Sequence, residues 1–501
     1  MALVGFPLDR DQADSYRVPS ASVSGHITDW PKGEWLEVAS TPVASAPGTT
    51  SDYKIPFIIT ASSVGTIIEW YDFYIYGVVA AILATLFFPS DNPTASLLLT
   101  FATFGAGFAV RPLGAIVFGH VGDLVGRKYA FLITVTIMGL GTTIIGLLPT
   151  YAQIGILAPL ILVLLRLAQG LALGGEYGGA AIYVAEHVAD DKRGQMTSWI
   201  QMTATLGLVL ALVVTLVCRL IFGAEAFAVW GWRVPFLLSF FLVAIALFIR
   251  LRLRETPLFS RLKAAGNSSA SPVKDSLGNG RNWGLILLVL FGATAGQAVV
   301  WYQGQFQARV YIEGPLKVDA VTGDTIMIVA LLLGTPFFLV FGALSDRIGR
   351  KPIIMGGCLL AALTYYPIYV LMGQVAPNPF LLGVLVFIQM IYVTMVYGPI
   401  AAFLVEFFPA RIRYTSMSLP YHLGNGWFGG WLPFIAVAIT AATGNALLAI
   451  VYPIAVAAMT FLIGTLFIRE TRGTRIWDEV GGEEPVEAIP APGPAQTAPA
   501  V

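Results

Sequence analysis

The chain has 501 residues, of which 56% are hydrophobic and only 12% charged, against about 25% charged in ordinary soluble domains. This excludes a soluble enzyme or a disordered scaffold and describes a chain whose surface faces lipid. Lys+Arg and Asp+Glu number 29 each, so the net charge is zero, and there is no basic excess to hold a nucleic acid.

In chain order, residues 1–53 are polar. They lack a basic n-region followed by an apolar h-region, so no cleaved signal peptide is expected and the segment reads as a disordered tail. Twelve apolar stretches of membrane-spanning length follow, near 57–87, 95–120, 129–149, 155–180, 197–222, 231–250, 284–309, 324–344, 353–372, 380–404, 415–441 and 446–468. Barrel strands are short and alternating, so a β-barrel is excluded, and the fold class is an all-α polytopic membrane protein. Cys218 and Cys358 lie in apolar runs without metal or redox spacing, and both read as buried hydrophobes.

Basic residues concentrate in alternate loops, including Arg127, Lys128, Lys192, Arg193, Arg350, Lys351, Arg411 and Arg413. The opposite loops and helix ends hold Arg219, Arg233, Arg309 and Lys317. The positive-inside rule then puts both termini in the cytoplasm. The expected organisation is a cytoplasmic tail 1–53, a six-helix bundle 54–253, a cytoplasmic loop 254–282, a second bundle 283–469 and a disordered cytoplasmic tail 470–501.

The halves repeat each other at three places in register. Gly65-x4-Trp70-Tyr71 recurs as Gly296-x4-Trp301-Tyr302. Phe118-Gly119-x3-Asp123-x2-Gly126-Arg127-Lys128 recurs as Phe341-Gly342-x3-Asp346-x2-Gly349-Arg350-Lys351. Tyr177-Gly178-x7-Glu186-x6-Arg193 recurs as Tyr397-Gly398-x7-Glu406-x6-Arg413. Two repeats of this kind put a substrate site between them near mid-membrane.

The loop Gly119-x3-Asp123-x2-Gly126-Arg127-Lys128 and its copy resemble the hallmark of the major facilitator superfamily, and Arg166-Leu167-Ala168-Gln169-Gly170 resembles its second motif. Within it, Gly65-x3-Glu69-Trp70-Tyr71-Asp72-Phe73 and Arg111-Pro112-Leu113-Gly114 resemble the metabolite:proton symporter family, which includes carriers for dicarboxylates, citrate, shikimate, and proline or betaine. The resemblance spans about 57–475. It implies two pseudo-symmetric bundles working by alternating access in a bacterial inner membrane. Uptake would be proton-coupled, with a mono-, di- or tricarboxylate as substrate. The alternatives are a proline- or betaine-type zwitterion, or an uncoupled facilitator or exchanger of the same fold. The expected partners are small solute, proton and bilayer, with no obligatory protein partner.

Glu69 and Asp72 are three residues apart on one helical face. An intramembrane carboxylate is a functional candidate, so one of the pair carries the proton, or the pair is ion-paired to a basic residue of helix 2 or 4. Arg111, deep in helix 2, offers a planar fork of donors that holds either a carboxylate substrate or Asp72. Arg166, Gln169, Leu173 and Glu176 form one polar stripe of helix 4, and the resemblance implies that Arg166 assists proton coupling. Helix 7 carries Gln297, Trp301, Tyr302, Gln303, Gln305 and Gln307 as a hydrogen-bonding wall, and helix 11 adds Asn425. The aromatics, with Tyr71, suit a quaternary ammonium. Tyr311 suits an interfacial belt, and His422 reads as a hydrogen-bonded core residue. Asp123, Arg127, Glu186, Arg193, Asp346, Arg350, Glu406 and Arg413 are assigned to salt-bridged gates. There is no Walker A loop, HExxH or Cys/His metal spacing, so neither catalysis, metal nor cofactor is expected, and a proton gradient supplies the drive.

The topology yields a direct test. A cysteine at Ser269 should react with an impermeant maleimide only from inside, and one at Thr94 only from outside. Labelling of Ser269→Cys in intact cells would refute the orientation.

Overall fold

The computed structural model describes residues 55–125, 127–175, 177–186, 188–251, 280–409 and 413–476, together with Gly278. It does not describe the side chains of 55–59, 61, 62, 119, 120, 122–125, 127, 128 and 177. Among the described residues every regular element is helical. In the first half, α1 runs Ile55–Val78 and, after a 61° bend, Ala80–Phe87. It is followed by α2 (Pro93–Phe118), α3 (Tyr129–Leu147), α4 (Leu157–Ala185), α5 (Asp190–Phe222) and α6 (Arg233–Leu251). The second half comprises α7 (Gly280–Glu313), α8 (Ala320–Ile348), α9 (Arg350–Val375), α10 (Pro379–Phe407), α11 (Arg413–Thr443) and α12 (Ala446–Phe467).

Local chemistry starts these helices where polar residues precede apolar runs. Asn92 accepts from the Thr94 and Ala95 amides at 2.9 and 3.3 Å ahead of α2, with Pro93 at the first helical position. Asp319 caps α8 through the Thr322 amide, and Asn378 caps α10 through that of Leu381. Gly444, at φ +68°, makes the left-handed turn between α11 and α12.

The packing is two-fold. α1 packs on α5 and α6, as α7 packs on α11 and α12, while α3 packs on α6 as α9 packs on α12. The halves meet through α2 with α11 and through α5 with α8, contacts that the repeat interchanges. Bulky apolar residues such as Leu113, Ile156 and Phe241 point outward, whereas Arg111, Arg166, Asp72 and Gln305 are buried. That inversion suits lipid as solvent.

Helix contact is closest where α2 meets α4. A Cβ on Gly170 would collide with the Gly107 carbonyl, and one on Gly174 with that of Arg111. These small residues let the two backbones touch and so place Arg111 and Arg166 on neighbouring walls.

The structure departs from the sequence expectation in several places. The first span bends instead of running straight over 57–87. α5 begins at Asp190, earlier than 197, because its polar first turn is satisfied by a residue of α8. Tyr311 is buried, with its hydroxyl donating to the Tyr369 carbonyl at 3.4 Å, so it is no interfacial belt residue. Arg309, counted among the loops and helix ends opposite the basic-rich ones, lies near the end of α7 and is buried there. α7 contains π-helical turns at Leu290–Thr294 and Tyr302–Gln307, and α11 one at Gly424–Gly429, which apolar periodicity cannot reveal.

Gly170→Val should force α2 and α4 apart and destabilise the protein by at least about 1–3 kcal/mol. This should be visible as a lower melting temperature and a smaller monodisperse fraction in detergent. An unchanged melt would mean that the contact is slack.

Candidate functional site

The carboxylates of α1 both face α6. Glu69 is ion-paired with Arg250, near the end of α6, at 2.8 Å. The expected partner was on helix 2 or 4; the basic residue comes from α6 because α1 packs along that helix. Gly65 serves this pair. A Cβ there would sit 3.2 Å from Arg250 Nε, so the glycine one turn before Glu69 leaves room for the guanidinium.

Asp72, also buried, is not paired with Arg111. Its Oδ1 accepts from the Ser239 hydroxyl of α6 at 2.5 Å, and its Oδ2 has no hydrogen bond. The backbone carbonyl of Asp72 accepts from Thr142 at 3.3 Å; Gln169 donates to Thr142 at 2.7 Å, and Arg166 donates to Gln169 at 2.9 Å. A hydrogen-bonded chain therefore joins the polar stripe of α4 to the α1 backbone. Arg166 lies over Phe73 and Tyr76, 4.0 and 4.5 Å from the ring centroids, and pairs with no carboxylate among the described residues. Tyr71 donates to the Pro235 carbonyl at 2.6 Å and is held by α6.

Arg111 is fully buried, and none of its three side-chain nitrogens has a hydrogen-bond partner. Aromatic faces surround it instead. Its guanidinium carbon is 5.3 Å from the rings of Trp70 and Phe108 and 6.0 Å from that of Tyr421. Desolvated cation–π contacts are worth about 2 kcal/mol, but each unsatisfied buried donor costs about 1–3 kcal/mol. Among the described residues no anion meets these donors. A cavity of about 10 Å³, close to the space of one water, lies here between Thr66, Trp70, Arg111, Leu173 and Tyr397.

The second half closes the site. Trp70, Tyr74 and Trp301 stack in sequence, at 5.1 and 5.4 Å, across the boundary between the halves. Tyr302 meets Phe108 edge-on at 5.4 Å, and the Tyr397 and Tyr421 hydroxyls are 2.7 Å apart. Asn425 and Gln297 exchange amide hydrogen bonds at 3.2 and 3.3 Å. The amide nitrogen of Gln303 and both amide atoms of Gln305 are buried without hydrogen bonds. His422 is buried against the ring of Tyr421.

At the end of the bundle where α5 begins, a second cluster bridges the halves. Glu406 Oε1 takes Arg193 at 3.1 Å and Arg350 at 2.9 Å. Asp346 accepts from the Gly194 and Gln195 amides, both at 2.8 Å, and pairs with Arg350. Arg193 also pairs with Asp190, and Arg413 donates to the Val405 and Phe408 carbonyls. Glu186 is buried. The side chains of Asp123, Arg127 and Glu176 lie outside the described residues, as do most of the loop 254–282 and all of the tail 1–53.

Sequence reasoning missed Arg250, Ser239, Thr142 and Glu470. Glu470 was expected to lie in a disordered tail, yet it accepts from the Arg350 and Lys351 amides at 2.8 and 3.0 Å, and Thr471 donates to Glu406 at 2.8 Å. Arg250 and Glu470 were legible only as charges beside apolar runs, and Ser239 and Thr142 gave no signal above other hydroxyls.

The family profile described as "Sugar (and other) transporter" matches residues 57–282 and 286–478. The glycine betaine/proline/ectoine/pipecolic acid transporter OusA of Dickeya dadantii is 34% identical over 433 residues, covering 84% of each chain. The citrate-proton symporter of Klebsiella pneumoniae is 32% identical, over 82% of this chain and 91% of its own. The alpha-ketoglutarate permease of Escherichia coli is 34% identical, over 87% and 99%. Among solved structures, the partially occluded inward open xylose transporter XylE of E. coli aligns with a TM-score of 0.66 at 20% identity, covering 84% of this chain and 99% of that one.

Removing Glu406 takes away the carboxylate that Arg193 and Arg350 share, leaving them with Asp190 and Asp346. Glu406→Ala should therefore cost about 1–3 kcal/mol and lower the melting temperature of the purified protein. A melt equal to that of the parent would show that this cluster does not hold the halves.

Proposed function

Because the chain belongs to the major facilitator superfamily, among its metabolite:proton symporters, we propose that it takes up a small carboxylate together with a proton by alternating access. The observation that carries this reading is Arg111, buried with three unbonded nitrogens and with no ion pair among the described residues. A planar guanidinium binds a carboxylate through paired hydrogen bonds, and an arriving anion would relieve its unsatisfied donors.

Charge counting supports the proton. Arg111, Arg166 and an ionised Asp72 sum to one positive charge. A proton on Asp72 leaves two positive charges, which a dicarboxylate cancels. Counted over these described residues the loaded site is then neutral, the state a low-dielectric interior tolerates best. Asp72 suits the proton-carrying role better than Glu69, because Glu69 already has a cation, Arg250. Ser239 and the chain through Thr142, Gln169 and Arg166 fix Asp72 in place. Under this reading the cluster around Glu406 is the cytoplasmic gate, both termini are cytoplasmic, and the protein resides in the bacterial inner membrane.

A second reading, uptake of a zwitterion such as a betaine, draws on the wall of Trp70, Tyr74 and Trp301 and on relatives named for betaine and proline. In this conformation the three rings cover one another's faces. A quaternary ammonium would have to part them, so the carboxylate is the better fit.

Reconstituted in liposomes, the parent should concentrate a dicarboxylate when the outside is acid. Asp72→Asn should lose this gradient-driven accumulation but keep solute exchange, which needs no net proton release. Arg111→Lys should raise the apparent Km about ten- to hundred-fold, at 1.4 kcal/mol per decade. Competition by glycine betaine but not by succinate would move the assignment to the zwitterion. Full gradient-driven accumulation by Asp72→Asn would remove that residue from coupling.

A further inference from the structure

Four charged residues gather at the end of the bundle opposite Glu406, and none of them belongs to the substrate site. Asp324, in the first turns of α8, is fully buried, and its Oδ1 accepts from Arg309 Nε of α7 at 2.7 Å. Arg309 also pairs with Glu313 at 2.8 Å. These three belong to the second half. The fourth, Arg219, comes from the last turn of α5 in the first half. Its Nη1 stands 3.9 Å from Asp324 Oδ2, an oxygen that is buried and accepts no hydrogen bond. The Arg219 side chain is 15% exposed and lies over the Phe227 ring at 5.3 Å.

The same two helices carry the tight contact at the other end. There Asp346 of α8 holds the first amides of α5 at 2.8 Å. The two aspartates lie about 33 Å apart along α8 at ~1.5 Å per residue. Each points at α5, one at its first turn and one at its last. The near end is bonded on both carboxylate oxygens, while the far end has one oxygen unfilled and a guanidinium just short of it. A rigid rocking of the halves that lengthens one contact shortens the other.

We propose that Arg219 and Asp324 form a latch between the halves, closing to a direct ion pair as the Asp346 bonds at the opposite end release. Arg309 and Glu313 hold Asp324 in position from within the second half, so the moving part is Arg219. The latch stabilises the conformation that is shut toward the outside and open toward the cytoplasm. It thereby sets how readily the emptied carrier returns to face outward.

The test reads outer access directly. It rests on the alternating-access reading, but labelling is followed without substrate, so a failure of the symport assignment leaves the result interpretable. A reporter Gln305→Cys is placed in a chain carrying Cys218→Ala and Cys358→Ala, and an impermeant maleimide is added to intact cells. Gln305 is fully buried in this structure, so its labelling reports separation of the halves at the outer end. Arg219→Gln should raise the labelling rate at least about fivefold, the lower bound of ordinary coupling between two states. Asp324→Asn should do the same, and the double variant should label no faster than the faster single. If Asp324→Asn fails to insert, Arg219→Gln decides alone, since its side chain reaches the surface. An unchanged or slower rate in Arg219→Gln, or additive effects in the double variant, would overturn the latch.

Discussion

A charge removed from water must be matched by another charge or by dipoles, and in a bilayer nothing outside the protein supplies either. The architecture follows from how each buried charge meets this demand. Glu69 has Arg250, Asp324 has Arg309, and Glu406 has Arg193 and Arg350. Arg111, Arg166 and Asp72 stand outside such pairs, relying on aromatic faces and single hydrogen bonds. The paired charges join helices; the unpaired ones surround the place where the halves meet. The unbonded nitrogens of Arg111 are a stronger pointer to the candidate site than a pocket, since the cavity beside it is no larger than about one water.

The two-fold packing explains why the Glu406 cluster and the surroundings of Arg111 are separate. Contacts between the halves run through α2 with α11 and α5 with α8. α5 and α8 are long enough to carry polar contacts at both ends, while their middles pass the aromatic and glutamine-lined centre. Gly194 and Gly342 sit face to face at the Glu406 end, where a Cβ on either would lie 2.7 Å from the other's carbonyl. Ser198, Ser345 and Arg350 crowd the same space, so neither glycine could carry a Cβ without a shift at this contact. The segment Glu470–Thr474 adds to that closure from beyond α12, bonding to Arg350, Lys351, Glu406 and Arg193.

The family assignment and the local geometry carry different parts of the argument. Relatives at 31–34% identity are named for betaine, proline, citrate and alpha-ketoglutarate, so kinship defines the class of machine and leaves the solute open. The proposal of a carboxylate rests on the unbonded nitrogens of Arg111 and the charge sum with Asp72. Arg166, stacked on Phe73 and Tyr76, is joined to the Asp72 backbone through Gln169 and Thr142.

The sequence by itself determined the spans, the repeat and the identity of most buried charges. Apolar length, glycine-rich helix faces and in-register motifs are local properties, and a membrane leaves only helices for such segments. It also placed Glu69 and Asp72 on one face, as three-residue spacing requires. Tertiary structure alone decided which charge meets which. Glu69 found Arg250 across 181 positions of chain, and Asp72 found Ser239, because α1 packs on α6 instead of on α2 or α4 at those levels. Asp324 reached Arg309 through the turn between α7 and α8, and Arg219 through the seam between the halves. A side chain's type is written in one position, but its partner depends on how two helices are rotated against each other. That rotation is fixed by packing over their whole length, and no local pattern encodes it.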